Sequence, residues 1–214
     1  MLSTGASQFP FFVEFVKQDI DWSKVEMFHL DEYVGISEEH PASFKRYLLD
    51  RFVNVVNPKC AYLINGQKNP EETIAELTAL LNEKPVDVGL IGIGENGHIA
   101  FNDPPADFDD QRAYKVVTLD ERCLQQQIGE GWFKNVDETY KQAISMTCSQ
   151  IMKCKSIISV VPYKVKAEAI YNTLTRDLTQ EVPATLLKQH MDCKSYCDKY
   201  SESLLTDEIV KQYV

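Results

Sequence analysis

The sequence has no long hydrophobic run and no excess of positive charge. Its 214 residues carry 22 Lys and Arg against 32 Asp and Glu, which gives a formal net charge of −10. Nucleic-acid backbones are bound through basic surfaces, so this balance excludes nucleic acid as a main partner, whereas a small phosphorylated ligand needs only a local pocket. No apolar stretch approaches the length of a transmembrane helix. We therefore expect neither nucleic acid nor a membrane as a partner.

Cysteine pairs with metal-ligand spacing are also missing. The six cysteines are scattered, and none forms a Cys-x-x-Cys pair. Cys193 and Cys197 are the two nearest in sequence, but no second Cys/His pair accompanies them. The N-terminus lacks the basic region and the long apolar core of a secretory signal. We expect reduced thiols that pack as small hydrophobic side chains, no bound metal and a cytoplasmic location.

Short apolar strands alternate with amphipathic helices along the whole chain. Apolar runs at 25–30, 61–64, 86–93, 113–118, 143–147 and 156–161 predict strands, and the segments between several of them predict helices. This alternation is typical of parallel sheets covered by helices. The predicted fold is α/β, a three-layer, doubly wound and mostly parallel sheet with helices on both faces, Rossmann-like. The length fits one domain over 1–214.

Polar residues cluster directly after the predicted strand at 86–93. The following turn carries Glu95, Asn96, His98, Asn102 and Asp103. Parallel strands present ligand-binding loops at their carboxyl ends, and a histidine among carboxylates and amides is suited to acid–base chemistry. The alternative is a glycine-rich turn with a solvated histidine.

Three further positions are candidates for the same site. Thr4, Gly5, Ala6 and Ser7 precede a predicted helix, where free N–H groups suit an anion, unless Ser7 is a simple helix cap. Asp31 follows the strand at 25–30 and is either a site residue or a turn cap. Lys164 and Lys166 lie at the start of a predicted helix, an unfavourable place for a cation unless it meets an anion.

Four segments together resemble the glucosamine-6-phosphate deaminase family, within the sugar-phosphate isomerase group that also includes 6-phosphogluconolactonase. The first segment is 30–35, which is followed by His40, Pro41 and Ser43. The other three segments are 92–104, 3–7 and 166–167. The residues after His98 are Ile-Ala-Phe-Asn, which is similar to the deaminase branch rather than to the lactonase branch. The order and spacing of these segments match along nearly the whole chain.

The resemblance implies that an amino-sugar 6-phosphate is converted to a ketose 6-phosphate and ammonium, without a metal or an organic cofactor. It implies that His98 opens the sugar ring, oriented by neighbouring acids, with Asn96 and Asp103 as further catalytic-site residues. It also implies that Asp31 moves the proton between C2 and C1. It assigns the phosphate to Thr4, Gly5, Ala6, Ser7 and Lys166. The partner is then a small sugar phosphate. The sequence leaves the oligomeric state open, a homo-oligomer included.

The chain departs from the family pattern at several positions. Asn96 stands where the family commonly has aspartate, and Asp103 stands where it has glutamate. Near Gln127 the family commonly has a phosphate-binding arginine, and here only Arg122 is close. Family members have a helix and a strand ahead of the phosphate loop, so we expect a truncated start and a sheet without its first strand. The alternatives are a 6-phosphogluconolactonase-type hydrolase and a catalytically weak sugar-phosphate-binding relative.

Overall fold

The computed structural model describes residues 1–129 and 131–213, with the side chains of Arg122 and Gln126 left out. The strands are β1 Glu26–Phe28, β2 Asp31–Tyr33, β3 Cys60–Tyr62, β4 Val88–Leu90, β5 Tyr114–Thr118, β6 Gln142–Met146, β7 Ser156–Val161 and β8 Cys193–Cys197. The α-helices are α1 Phe9–Phe15, α2 Phe44–Leu48, α3 Asn54–Val56, α4 Pro70–Glu83, α5 Glu121–Gly129, α6 Cys148–Ile151, α7 Ala167–Thr175 and α8 Asp207–Val210. In this part of the chain, no helix is both long and apolar enough to cross a membrane.

A parallel sheet forms the centre of the molecule. β1 pairs with β3, and β7 pairs with both β4 and β8, all in parallel. Leu2 makes parallel bridges to His29 and to Leu90, so the first three residues lie between the β1–β3 pair and β4. The predicted α/β class is confirmed. We expected the sheet to lack its first strand. At that place it contains residues 1–3, which we call the N-terminal stub.

Helices cover both faces of the parallel sheet, as predicted. Along β1, Met27 packs with aromatic and aliphatic residues of α1 and α2, including Phe12 and Leu48. Its neighbour Phe28 belongs to a different apolar cluster, which contains Leu77 of α4. Successive residues of a strand point to opposite faces, so this division places the two helix layers on opposite sides of the sheet.

An antiparallel sheet, which the sequence did not predict, lies next to the parallel one. It has the order β2–β6–β5, with Asp31 opposite Ser145 and Tyr33 opposite Ala143. We expected Asp31 to follow the strand at 25–30 as a site residue or a turn cap, and not to begin a second strand. Carboxylates are uncommon in strands. Pairing with β6 over a long sequence separation outweighs that local preference, and it fixes the direction of the Asp31 side chain.

The buried Glu32 connects β2 to the start of α2. Its Oε1 accepts the main-chain N–H groups of Tyr33 at 3.0 Å and Phe44 at 3.2 Å. Its Oε2 accepts the Ser43 hydroxyl at 2.8 Å and the Lys45 N–H at 2.7 Å. The first N–H groups of a helix have no intrahelical acceptor, so a carboxylate here satisfies them and favours the helix dipole. Glu32 therefore holds α2 against the strand that carries Asp31.

We expect Glu32→Gln to lower the free energy of unfolding by about 1 to 3 kcal/mol, because the glutamine NH₂ group would face buried donors. Urea unfolding at pH 8 measures this difference. The control is Glu39→Gln at an exposed position in the same region. Equal unfolding midpoints for the two variants would contradict the role of Glu32.

Candidate active site

A polar pocket lies at the carboxyl ends of β1, β4, β7 and the N-terminal stub. This is where open α/β sheets bind their ligands. Its lining residues come from segments that are far apart in sequence. They are Ser3, Thr4, Gly5, Ser7, Leu30, Asp31, Phe44, Gly92, Ile93, Gly94, His98, Ala100, Phe101, Gln127 and Lys166.

Asp31 presents a buried and unsatisfied carboxyl group to this pocket. The residue is 6% exposed, and Oδ1 has no hydrogen-bond partner among the described residues. Burial, with a smaller contribution from the neighbouring Glu32 carboxyl, raises the pKa of Asp31 to about 8. A carboxylate in such surroundings is a stronger base than an exposed aspartate, and it can both take and return a proton near neutral pH.

His98 and Asp103 form a close pair on the other side of the pocket. His98 Nδ1 lies 3.1 Å from Asp103 Oδ1. Burial acts to raise the pKa of Asp103, but the contacts with His98, Asn96 and Cys123 together outweigh it and keep that pKa below its ordinary value. The His98 ring lies over Gly94, where a Cβ atom would come within 2.2 Å of the ring. The ring can occupy this place only because residue 94 is glycine.

Asn96 contacts the carboxylate of Asp103 and the main chain of His98. Its Nδ2 donates to Asp103 Oδ1 at 3.3 Å, and its Oδ1 accepts the His98 N–H at 3.0 Å. The sequence left open whether Asn96, Asp103 or another nearby acid orients the imidazole. The geometry gives Asp103 the ring contact and places Asn96 behind it. A carboxylate therefore stands beside the ring although residue 96 is an amide.

Strand β6 connects the Asp31 side of the pocket to the His98 side. Asp31 pairs with Ser145 in the antiparallel sheet, and the Ser145 hydroxyl accepts the main-chain N–H of Phe101 at 3.0 Å. The Asn102 side chain donates to the carbonyl of Met146, the next residue of β6, at 2.8 Å. The loop that carries His98 is thus attached to the strand that pairs with β2.

The predicted phosphate loop follows the N-terminal stub. Gly5 has a φ of +103°, a conformation that glycine adopts readily, and a short 3₁₀ turn follows at Ala6–Gln8. The Ser7 side chain caps neither this turn nor α1, so the simple-cap alternative is wrong. The Gln8 amide donates to the Val160 carbonyl at 2.9 Å and attaches the loop to the end of β7. Thr4, Gly5 and Ser7 line the pocket.

Of the two candidate lysines, Lys166 lies at the pocket and Lys164 does not line it. Lys166 is 5% exposed and also borders a larger adjoining cavity of about 1100 Å³. Lys164 is at the surface, where its Nζ donates to the Ser203 hydroxyl at 2.8 Å. Asn96 and Ala6 line the adjoining cavity rather than the pocket itself. The structure thus brings together most, but not all, of the predicted residues.

Several pocket residues were not assigned a role from the sequence. The sequence identified Gln127 only as a departure from a family pattern, yet it lines the pocket. Phe44 also lines it without a local signal that could have indicated this, and Ser3, the first residue of the segment 3–7, lines it too. The side chain of Arg122 lies outside the described part of the chain. Across residues 1–129 and 131–213, no group of three or more His, Cys, Asp or Glu side chains is arranged to hold a metal ion.

The remaining histidines lie away from the pocket lining. His29 is fully buried, its Nδ1 accepts the Ile64 N–H at 3.3 Å, and burial lowers its pKa to about 3. His29 is thus a packed core histidine. His190 contacts the Cys154 carbonyl at 2.8 Å, and the His40 ring stacks on Phe133. His98 is therefore the histidine that the fold presents to the pocket.

Relatives with assigned names are similar over nearly the whole chain. A protein of Streptococcus sanguinis named glucosamine-6-phosphate deaminase is 37% identical over 205 residues, which cover 95% of this chain and 86% of that protein. A protein of the same name from Streptococcus pneumoniae is 35% identical with the same coverage. A solved structure of a monomeric glucosamine-6-phosphate deaminase has a TM-score of 0.86 at 28% identity, and covers 95% of this chain and 86% of that chain.

More distant relatives share the fold alone. The 6-phosphogluconolactonase of Trypanosoma brucei has a TM-score of 0.72 at 13% identity, with 95% of this chain and 85% of that chain covered. The family model described as glucosamine-6-phosphate isomerases/6-phosphogluconolactonase matches residues 1–195. On this match, and on the identity to the streptococcal proteins, the chain belongs to the glucosamine-6-phosphate isomerase/6-phosphogluconolactonase family.

Proposed function

We propose that the protein converts glucosamine 6-phosphate and water to fructose 6-phosphate and ammonium, as a single domain in the cytoplasm. The observation that carries this proposal is the pairing of two opposite acid–base groups in one pocket. Asp31 has an unsatisfied carboxyl with a pKa raised to about 8, whereas Asp103 is held as a carboxylate beside His98. Groups whose environments push their pKa values apart are suited to separate acid and base roles.

His98 serves the opening of the sugar ring. The imidazole takes the proton of the anomeric hydroxyl and delivers a proton to the ring oxygen, which gives the open-chain aldehyde. Asp103 lies beside Nδ1 and favours the imidazolium when it forms. Nε2 is therefore the ring nitrogen that exchanges protons with the substrate.

Asp31 serves the transfer of a proton along the carbon chain. In its carboxylate form it removes the proton from C2, which gives an enolamine, and it then protonates C1. The product is a C2 imine, to which water adds before ammonium leaves and the C2 carbonyl forms. Because Asp31 is buried, it is a stronger base than an exposed aspartate, and this favours removal of a weakly acidic proton.

The phosphate binds at the opposite end of the pocket. The hydroxyls of Thr4 and Ser7 and the N–H groups around Gly5 supply neutral donors, and Lys166 supplies a positive charge. A substrate fixed at its phosphate presents C1 and C2 to the acid–base groups in a constant geometry. This local set of donors accounts for binding of an anion by a protein with a net charge of −10.

We expect Asp31→Asn to abolish turnover of glucosamine 6-phosphate, with a fall in kcat of at least about 10²-fold, because an amide cannot take the C2 proton. The assay is performed in deuterated water and measures ammonium and deuterium at C1 of fructose 6-phosphate. The exposed Asp109→Asn serves as control. Unchanged turnover in Asp31→Asn would contradict the assignment. Hydrolysis of 6-phosphogluconolactone, unaffected by Asp31→Asn, would instead support the lactonase alternative.

We expect Asp103→Asn to reduce kcat far more than Asn96→Ala does. Loss of the charge beside His98 costs about 10² to 10⁴-fold by analogy with the serine-protease triad. Loss of the Asn96 hydrogen bond to Asp103 costs about five- to tenfold. Steady-state kinetics on glucosamine 6-phosphate measures both. Equal losses would show that the amide and the carboxylate orient the ring together.

We expect Asp31→Asn to stabilise the protein increasingly as the pH rises from 5 to 8. The folded-state pKa of Asp31 is about 8 against 3.8 for the unperturbed group, so the native state retains a proton that the unfolded chain releases. The contribution of Asp31 to the stability of the parent protein therefore falls through this window, and the variant lacks it, whereas Glu32, whose pKa burial raises to about 7, contributes in both proteins. The difference between the two should grow by about 2 to 4 kcal/mol. Urea unfolding at each pH measures it, and a pH-independent difference would contradict the burial of a neutral Asp31.

A further inference from the structure

Gln127 is a pocket residue to which the mechanism above gives no role. It lies near the carboxyl end of α5, is 5% exposed, and lines the pocket together with Asp31, His98 and Lys166. The other polar lining side chains come from segments that follow the carboxyl ends of β1, β4, β7 and the N-terminal stub. Gln127 instead comes from a helix, which approaches the site from the antiparallel sheet.

The Gln127 side chain has an unsatisfied hydrogen-bonding atom at this position. Its Oε1 is buried, and it has no hydrogen-bond partner among the described groups, which do not include the side chains of Arg122 and Gln126. A buried acceptor without a partner costs about 1 to 3 kcal/mol, so such groups are uncommon unless a ligand or a water satisfies them. An unsatisfied amide that lines a ligand pocket is therefore a candidate for direct contact with the ligand.

Helix α5 is fixed in place by residues on the same face as Gln127. Cys123 lies one helical turn earlier, is 1% exposed, and packs in the same apolar cluster as Leu124 and Phe101. It also lies close enough to Asp103 to contribute to the lowered pKa of that carboxyl. Residues four apart share a helix face, so the face that packs at Asp103 also presents Gln127 to the pocket.

The chemistry of the amide indicates which part of the substrate it meets. A glutamine amide carries a donor and an acceptor and no charge, and this matches a hydroxyl or an amino group. A phosphate dianion offers only acceptors and is matched by Lys166, Thr4 and Ser7. We propose that Gln127 binds the sugar portion of the substrate through a hydrogen bond to a hydroxyl or to the amino group, and so contributes to sugar specificity. This inference rests on the proposed function.

The test compares Gln127→Met with Gln125→Met, which changes an exposed glutamine of the same helix. Methionine keeps the length of the side chain and removes both hydrogen-bonding groups. We expect kcat/KM for glucosamine 6-phosphate to fall about 10- to 100-fold in Gln127→Met, because a substrate donor or acceptor is left unpaired. Competitive inhibition by inorganic phosphate should stay within about twofold of the parent protein, and Gln125→Met should change neither quantity.

Two results would overturn the inference. An unchanged kcat/KM in Gln127→Met would show that the amide does not meet the substrate, and a parallel loss of phosphate inhibition would make Gln127 a phosphate ligand. If Gln127→Met does not fold, a crystal structure of the parent protein with fructose 6-phosphate tests the contact directly. The amide should lie within about 3.2 Å of a sugar oxygen, and contact with phosphate alone, or with neither, overturns the inference.

Failure of the proposed function gives a different result. If the parent protein binds glucosamine 6-phosphate but does not turn it over, the proposed deamination is wrong. Calorimetry then still tests whether Gln127 contacts the sugar. The dissociation constant of glucosamine 6-phosphate should then rise at least tenfold in Gln127→Met, while that of inorganic phosphate is unchanged. A parent protein that binds neither ligand overturns both proposals.

Discussion

Two carboxyl groups on consecutive residues are buried at the centre of this protein, and much of the site depends on how each is accommodated. Successive residues of β2 point to opposite sides, so Glu32 faces the start of α2 and Asp31 faces the pocket. Glu32 is satisfied by four donors, whereas Asp31 Oδ1 has none among the described residues. One residue thereby stabilises the local structure, and its neighbour keeps the basicity that proton transfer requires.

The sequence predicted the parts of the site that are encoded locally. Asp31 and His98 follow predicted strands at their carboxyl ends, and parallel strands place such segments together. The loop from Thr4 to Ser7 was predicted from its place before a helix. The preference for Lys166 over Lys164 came from the family resemblance, and the position of Lys166 at the pocket agrees with it. The sequence did not show which of Asn96 and Asp103 contacts the His98 ring, because either side chain can reach the ring from its position in the sequence.

The parts that the sequence did not predict depend on pairing between distant segments. Residues 31–33 contain two acidic side chains and give no strand signal, and they become β2 only because β6, more than a hundred residues later, pairs with them. Gln127 likewise reaches the pocket because apolar residues of α5 pack beneath it. Periodicity can predict that such a helix exists, but it does not indicate which of its polar residues faces a ligand.

The attachment of the site to two different sheets has a consequence for its mechanics. Asp31 and the His98 loop are both tied to β6, whereas the phosphate loop is tied through Gln8 to the end of β7 in the parallel sheet. We therefore expect a displacement of β6 to move Asp31 and the His98 loop together relative to the phosphate loop.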